Sequence, residues 1–340
     1  ENYVGIFDWN GNDTQRRYEN IETKGPQEYI LFYDYMRSIM NAPVVDTEDH
    51  PVVNGGKIFN SEVTDFVVNN TWEGAIHGRS LTDIWVWERA DSERHAAEMF
   101  KSNMSYRPDA IAGIGRTALD LNRLSYEVVA LQDEKADVGI LYSDASAVHV
   151  RQFGTVMSAA YHGVVYAGKK VQFVTEDQLE KLNDIKALII PYTLNVKAET
   201  VKAIYDFVAN GGKVLMIDQN CLTKTEHAKE QNLELVEYIR ENSHVIRDVS
   251  ANNNDITSPN KDELYVIIRN FIRDIGMEYI SVVDAETSEP VNDTIVDVGI
   301  YNGKLLVNIG NFANTRNVKV KVGGKVVTSS YDLLNCEELG

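Results

Sequence analysis

"APVVDTEDH", residues 42–50, sets two valines ahead of three acids and a histidine. The valines read as a short buried strand, so the question is what the acids do at its end. Around it, short apolar runs alternate with amphipathic stretches: "YVGIFDW" (3–9), "EYILFYDYMRSIM" (28–40), "SEVTDFVVNNTWEGAIHG" (61–78) and "DIWVWER" (83–89). That strand-helix rhythm calls for parallel strands joined by crossover helices, the construction of α/β barrels and doubly wound sheets. "RPDAIAGIGRTALDLNRLSYEVVALQ" (107–132) closes the series as one longer helix. Pro108 stands early in it, and Ile111, Ile114, Ala118, Leu121, Leu124 and Val128 recur at helical spacing.

A second α/β series follows. "ADVGILYS" (136–143), "KKVQFVT" (169–175), "KALIIPY" (186–192) and "GKVLMID" (212–218) read as strands of one open parallel sheet of flavodoxin-like order, with a helix over 147–167. In "ETVKAIYDFVANGG", Val201, Ile204, Tyr205 and Val208 share a face and Gly211 supplies the stop. "NLELVEYIREN" and "DELYVIIRNFIRDIG" are further helices, joined by a polar loop over 250–260. From about residue 279 the period changes to two, which predicts antiparallel β structure, with hairpin turns at Asn302-Gly303 and Gly323-Gly324. The divisions are therefore 1–132, 133–278 and 279–340.

The net charge of −18 and pI ≈ 4.8 would repel phosphate backbones and anionic lipid, which excludes nucleic acid as a partner. No apolar run approaches the roughly 18 residues that span a bilayer. Cys221 and Cys336 are the only cysteines and show no metal-ligand spacing, so neither a disulfide framework nor a zinc site is expected, nor any cofactor. Cys221 follows a strand without the flanking glycines of a nucleophile elbow, and the glycines of "AGIGR" (112–116) follow no strand, so neither marks a site. The Asn-rich, Cys-poor composition leans toward a secreted or surface protein and leaves the compartment open.

Active groups of parallel α/β barrels project from the C-terminal ends of strands. Glu48 stands at such an end, before the turn-rich "DHPVVNGGK". A carboxylate there can attack an anomeric carbon if a protonated carboxyl lies about 5–5.5 Å away to protonate the leaving oxygen. Two other readings stand beside this one: Asp46, Glu48 and Asp49 as a solvated strand exit, or Asp46, Glu48, Asp49 and His50 as metal ligands. In "DIWVWERADSERH" (83–95), Trp85 and Trp87 alternate along a strand and share a face, suited either to stacking a pyranose or to filling a core.

"WVWERADSERHAAEM" resembles the segment of family 42 glycoside hydrolases, the β-galactosidase type, in which the last barrel strand leads to a Trp-Arg stretch and then to a Glu and a His that grip the sugar. The resemblance implies Trp87, Glu93 and His95 as sugar ligands with Trp85 beside them, and, one strand back, Glu48 as the nucleophile. In this sequence Glu93 and His95 are two apart, whereas the family's pair is three apart. Residues 110–143 are similar to the family's link into its flavodoxin-like or amidotransferase-like middle domain, of the trimerisation type, and the end of the chain is similar to its small β domain. The implied class is α/β: the last three βα units of a (β/α)8 barrel, then the parallel-sheet domain, then antiparallel β.

A full barrel takes about 250 residues, and no Asn-Glu pair of the kind that carries the family's acid/base precedes Glu48. The expectation is the C-terminal portion of a retaining glycosidase that cleaves carbohydrates, inactive alone, forming a homo-oligomer such as a trimer or completed by the missing upstream barrel segment. The competing expectation is a non-catalytic carbohydrate-binding or scaffolding protein on a degenerate glycosidase fold.

Overall fold

The computed structural model describes residues 7–14, 28–51, 61–85, 104, 107–252, 255–277, 280–291, 294–311, 317–323 and 326–339. Three parallel strands lie side by side in chain order: β1 (Asn10–Thr14), β2 (Val44–Asp49) and β3 (Arg79–Ile84). Helix α1 (Glu28–Ile39) connects the first two and α2 (Ser61–Ile76) the second two. The predicted alternation is therefore present, with two shifts. The first strand starts at Asn10, beyond "YVGIFDW", whose residues 3–6 lie outside the described residues. The strand predicted through "DIWVWER" ends at Ile84, leaving Trp85 in a turn.

The long helix predicted over 107–132 is two helices, α3 (Pro108–Arg123) and α4 (Ser125–Gln132). Leu124, with φ −108° and ψ 25°, breaks the continuity, and its buried side chain accounts for the helical spacing across the junction. Gly113 is required where α3 crosses α2. A Cβ there would meet the Thr64 carbonyl oxygen at 2.8 Å and Val67 at 3.2 Å. The "AGIGR" glycine is thus a packing residue.

The second series forms β4 (Val138–Tyr142), α5 (Asp144–His149), α6 (Phe153–Tyr166), β5 (Val171–Thr175), β6 (Ala187–Pro191), β7 (Asn195–Val196), α7 (Ala198–Ala209), β8 (Lys213–Ile217), β9 (Lys224–Thr225), α8 (Leu233–Glu241) and β10 (His244–Ile246). Five of these strands make one parallel sheet ordered β10-β8-β6-β4-β5, which is 2-1-3-4-5 by chain position, a doubly wound order. The helix predicted over 147–167 divides into α5 and α6, because the chain is extended at Val150. Side chains alternate across each strand. Ile140, Phe173, Ile189 and Leu215 face α6 and α1, whereas Leu141, Val174, Leu188, Ile190 and Met216 face α7 and α8.

The segment 250–260, predicted as a loop, contains the short antiparallel pair β11 (Ser250–Ala251) and β12 (Ile256–Ser258). Helix α9 (Lys261–Asp274) follows, opened by a capping box of Asn260 and Glu263. Beyond it come β13 (Ile280–Asp284), β14 (Thr294–Tyr301), β15 (Lys304–Asn311), β16 (Val318–Val322), β17 (Ser330–Asp332) and β18 (Glu337–Leu339), all paired antiparallel. Asn302-Gly303, both at positive φ (50° and 74°), turn β14 into β15 as predicted. Gly324 of the turn predicted at Gly323-Gly324 lies outside the described residues; β16 pairs with β13, and β17 with β18.

One core joins these sheets, running from Tyr29, Ile30 and Tyr33 of α1 and Val44 of β2 through the parallel sheet to Ile295 of β14. Among the described residues no helix is long and apolar enough to cross a membrane. A Gly113→Val change should force α3 away from the Thr64 backbone, which cannot rotate aside. Urea denaturation should show a loss of about 1–3 kcal/mol, larger than the few tenths gained in helix propensity.

Candidate active site

β2 is apolar where Val44 enters the core and acidic where it leaves the sheet. Its acids are of two kinds. Asp46 and Asp49 are buried and converge on Arg79, the first residue of β3, whose Nη1 donates to Asp46 Oδ2 at 3.3 Å and Asp49 Oδ2 at 3.1 Å. Asp46 Oδ2 also accepts from the Thr14 hydroxyl at 2.6 Å and the Tyr33 hydroxyl at 2.7 Å. Arg79 Nη2 donates to the carbonyls of Asn70 (3.5 Å) and Thr71 (3.2 Å). Buried charges persist when paired and hydrogen-bonded in this way. The solvated strand exit is therefore incorrect for Asp46 and Asp49, and the four-residue metal reading fails because a guanidinium already bridges those two carboxylates.

One cation faces two carboxylates, so the cluster carries an excess negative charge. Burial, reinforced by the charge of Asp46 and opposed by Arg79, pushes the Asp49 carboxyl up from 3.8 to about 6. Burial likewise pushes the Tyr33 phenol far up, so Tyr33 stays protonated and able to donate.

Glu48 differs from both. Its side chain is 33% exposed, and its Oε1 lies 2.7 Å from Nε2 of His50. The His50 ring is buried and lies beside the Trp85 indole, centroids 6.0 Å apart and planes tilted by 39°. The Trp85 amide donates to the Asp49 carbonyl at 2.8 Å. Of the predicted site, then, Glu48 and Trp85 come together at the C-terminal ends of β2 and β3, with His50 between them. Trp87, Glu93 and His95 lie outside the described residues.

A second buried cluster was not predicted. His77, just past α2, places Nδ1 3.0 Å from Asp34 Oδ2, which also accepts from the Tyr161 hydroxyl at 2.6 Å. Its Nε2 faces Asp297 Oδ1 at 3.5 Å and Glu73 Oε2 at 3.8 Å. Burial alone would lower the imidazole, but Asp34, Asp297 and Glu73 outweigh it and push His77 up to about 9. The i,i+4 spacing of Glu73 and His77 on a helix was a visible signal for this cluster. Arg79 had none, since its partners are fixed only by folding. Cys221 is buried, its thiol pushed up by burial, in keeping with a packing role.

No family model and no curated protein matches the sequence. Solved structures resemble it in fold, and that fold is the one of GH42 glycoside hydrolases. A GH42 exo-carrageenase from Bacteroides ovatus is 18% identical at TM-score 0.73, over 97% of this chain and 44% of its own. A catalytic mutant of a GH42 β-galactosidase from G. stearothermophilus is 15% identical at TM-score 0.65, over 92% and 54%. A β-galactosidase from Bacillus circulans sp. alkalophilus is 13% identical at TM-score 0.65, over 97% and 57%. The chain thus spans about half the length of these structures.

The Asp49 proton has a measurable consequence. A carboxyl held at about 6 when folded and near 3.8 when unfolded contributes stability below pH 3.8 that is lost as the pH rises through 6. In urea unfolding at pH 4 to 7, the stability of the natural protein relative to Asp49→Asn should fall across that window. A difference that stays flat or rises would contradict the assignment.

Proposed function

We infer that the chain is the C-terminal portion of a retaining glycoside hydrolase of the β-galactosidase type. In this reading β1, β2 and β3 are the last three strands of a (β/α)8 barrel. Residues 133–278 are its flavodoxin-like, trimerisation-type domain and residues 279–340 its small antiparallel domain. The observation that carries the reading is the state of Glu48. It is the partly exposed carboxylate at the end of β2, paired with His50, whose ring lies beside the Trp85 indole, while the acids at 46 and 49 are consumed by Arg79.

Retaining hydrolysis needs a carboxylate nucleophile and a second carboxyl that protonates the departing oxygen and then activates water. Glu48 supplies the first. An Nε2 proton of His50 directed at Oε1 fixes the carboxylate and leaves its other oxygen to bond the anomeric carbon. Trp85, with Trp87, offers apolar surface to a sugar ring, and Glu93 and His95 offer partners to its hydroxyls. The acid/base belongs to the earlier part of the barrel.

The test compares the 340-residue chain with a form extended by the upstream residues of its gene. The extended form should cleave nitrophenyl glycosides and take up a mechanism-based fluoro-glycoside on Glu48, and Glu48→Gln should lower kcat by about three orders of magnitude or more. Equal activity of both forms would sink the fragment reading. Retained sugar binding with no label would favour the non-catalytic scaffold.

A further inference from the structure

The cluster around His77 lies away from Glu48 and serves no step of the proposed chemistry. It is built like a cation site. The Asn308 side-chain amide donates to Glu73 Oε1 and to Asp297 Oδ2, both at 3.0 Å, and the Trp72 indole N–H donates to Asn308 Oδ1 at 3.2 Å. Asn308 thus fixes both carboxylates by their outer oxygens. The inner ones, Glu73 Oε2 and Asp297 Oδ1, turn toward His77 Nε2. That nitrogen belongs to a side chain only 5% exposed and has no hydrogen-bond partner among the described residues.

We propose that Glu73, His77 and Asp297 bind a divalent cation of the zinc class, which clamps α2 to β14. The spacing fits. Bonds of about 2.0–2.2 Å to a tetrahedral zinc place its ligand atoms roughly 3.3–3.6 Å apart. Nε2 stands 3.5 and 3.8 Å from the two carboxylate oxygens, and all three ligand atoms lie within 4.8 Å of one another. The surroundings fit as well. Asp34 accepts from Nδ1–H, so Nε2 is the nitrogen a cation would take, displacing its proton, and Tyr161 holds Asp34 in turn. A carboxylate behind a ligating histidine is the usual outer partner of a metal site.

The charge balance points the same way. Asp34, Glu73 and Asp297 crowd three carboxyl groups around one imidazole. Lys170, buried nearby, has its ammonium committed to the carbonyls of Leu131 and Gln132. Asp297, 15% exposed, leaves an approach from solvent and room for water as the fourth ligand.

The test is zinc binding by the full chain after chelation. Calorimetry and metal analysis after gel filtration should give one zinc per chain and a higher thermal midpoint with zinc present. Cobalt in its place should show the visible bands of a tetrahedral site. Asp297→Asn, at the exposed edge of the cluster, should keep the circular dichroism spectrum and weaken zinc binding at least tenfold, and His77→Gln should do the same or more. Absence of zinc binding by the natural chain would overturn the proposal and leave an ion-pair knot. Binding of equal affinity in both variants would overturn it too, since the metal would then sit elsewhere.

Discussion

The arrangement of the first three strands rests on the burial of one guanidinium. Arg79 draws on β1 through Thr14, on α1 through Tyr33, on both buried acids of β2, and on the backbone of α2 at Asn70 and Thr71. Each of those groups would be costly to bury alone, and removing one partner from such a set typically costs about 3–5 kcal/mol because the other charge stays behind. The packing around it allows little change. A Cβ at Gly74 would stand 2.6 Å from the guanidinium carbon, so the helix can lie over Arg79 only because that position is glycine.

The same cluster explains an irregular strand. In a regular strand, residues 46 and 49 would point to opposite faces. The register of β2 against β3 shifts between Asp46 and Asp49, and the shift lets both carboxylates reach one cation. Thr47 and Glu48, inside the irregularity, are left as the more exposed residues of the strand. The three acids of "DTED" therefore differ in setting through geometry alone, two sharing one guanidinium in the interior and one directed to His50.

The α/β organisation was legible in the sequence because it depends on local periodicity. "ADVGILYS", "KKVQFVT", "KALIIPY" and "GKVLMID" each contain the strand that forms, and the change to period two near residue 279 coincides with the start of the antiparallel strands β13 to β18. What periodicity missed depends on distant partners. The break at Leu124 keeps the apolar spacing of a continuous helix, so nothing in the pattern marks it. Asp46 and Asp49 look solvent-loving until Arg79, some thirty residues on, is folded against them. The His77 cluster needs Asp297 and Asn308, more than two hundred residues away, so only its Glu73 end could be seen locally.

The candidate site inherits its geometry from the Arg79 cluster. Trp85 is anchored through its backbone amide to the carbonyl of Asp49, the residue whose side chain Arg79 holds. Its indole in turn flanks His50, which pairs with Glu48. A chain of short-range contacts thus leads from a buried ion pair to a surface carboxylate without passing through a flexible side chain. Catalytic groups need this kind of support, since displacement by about 1 Å can cost a hundredfold in rate.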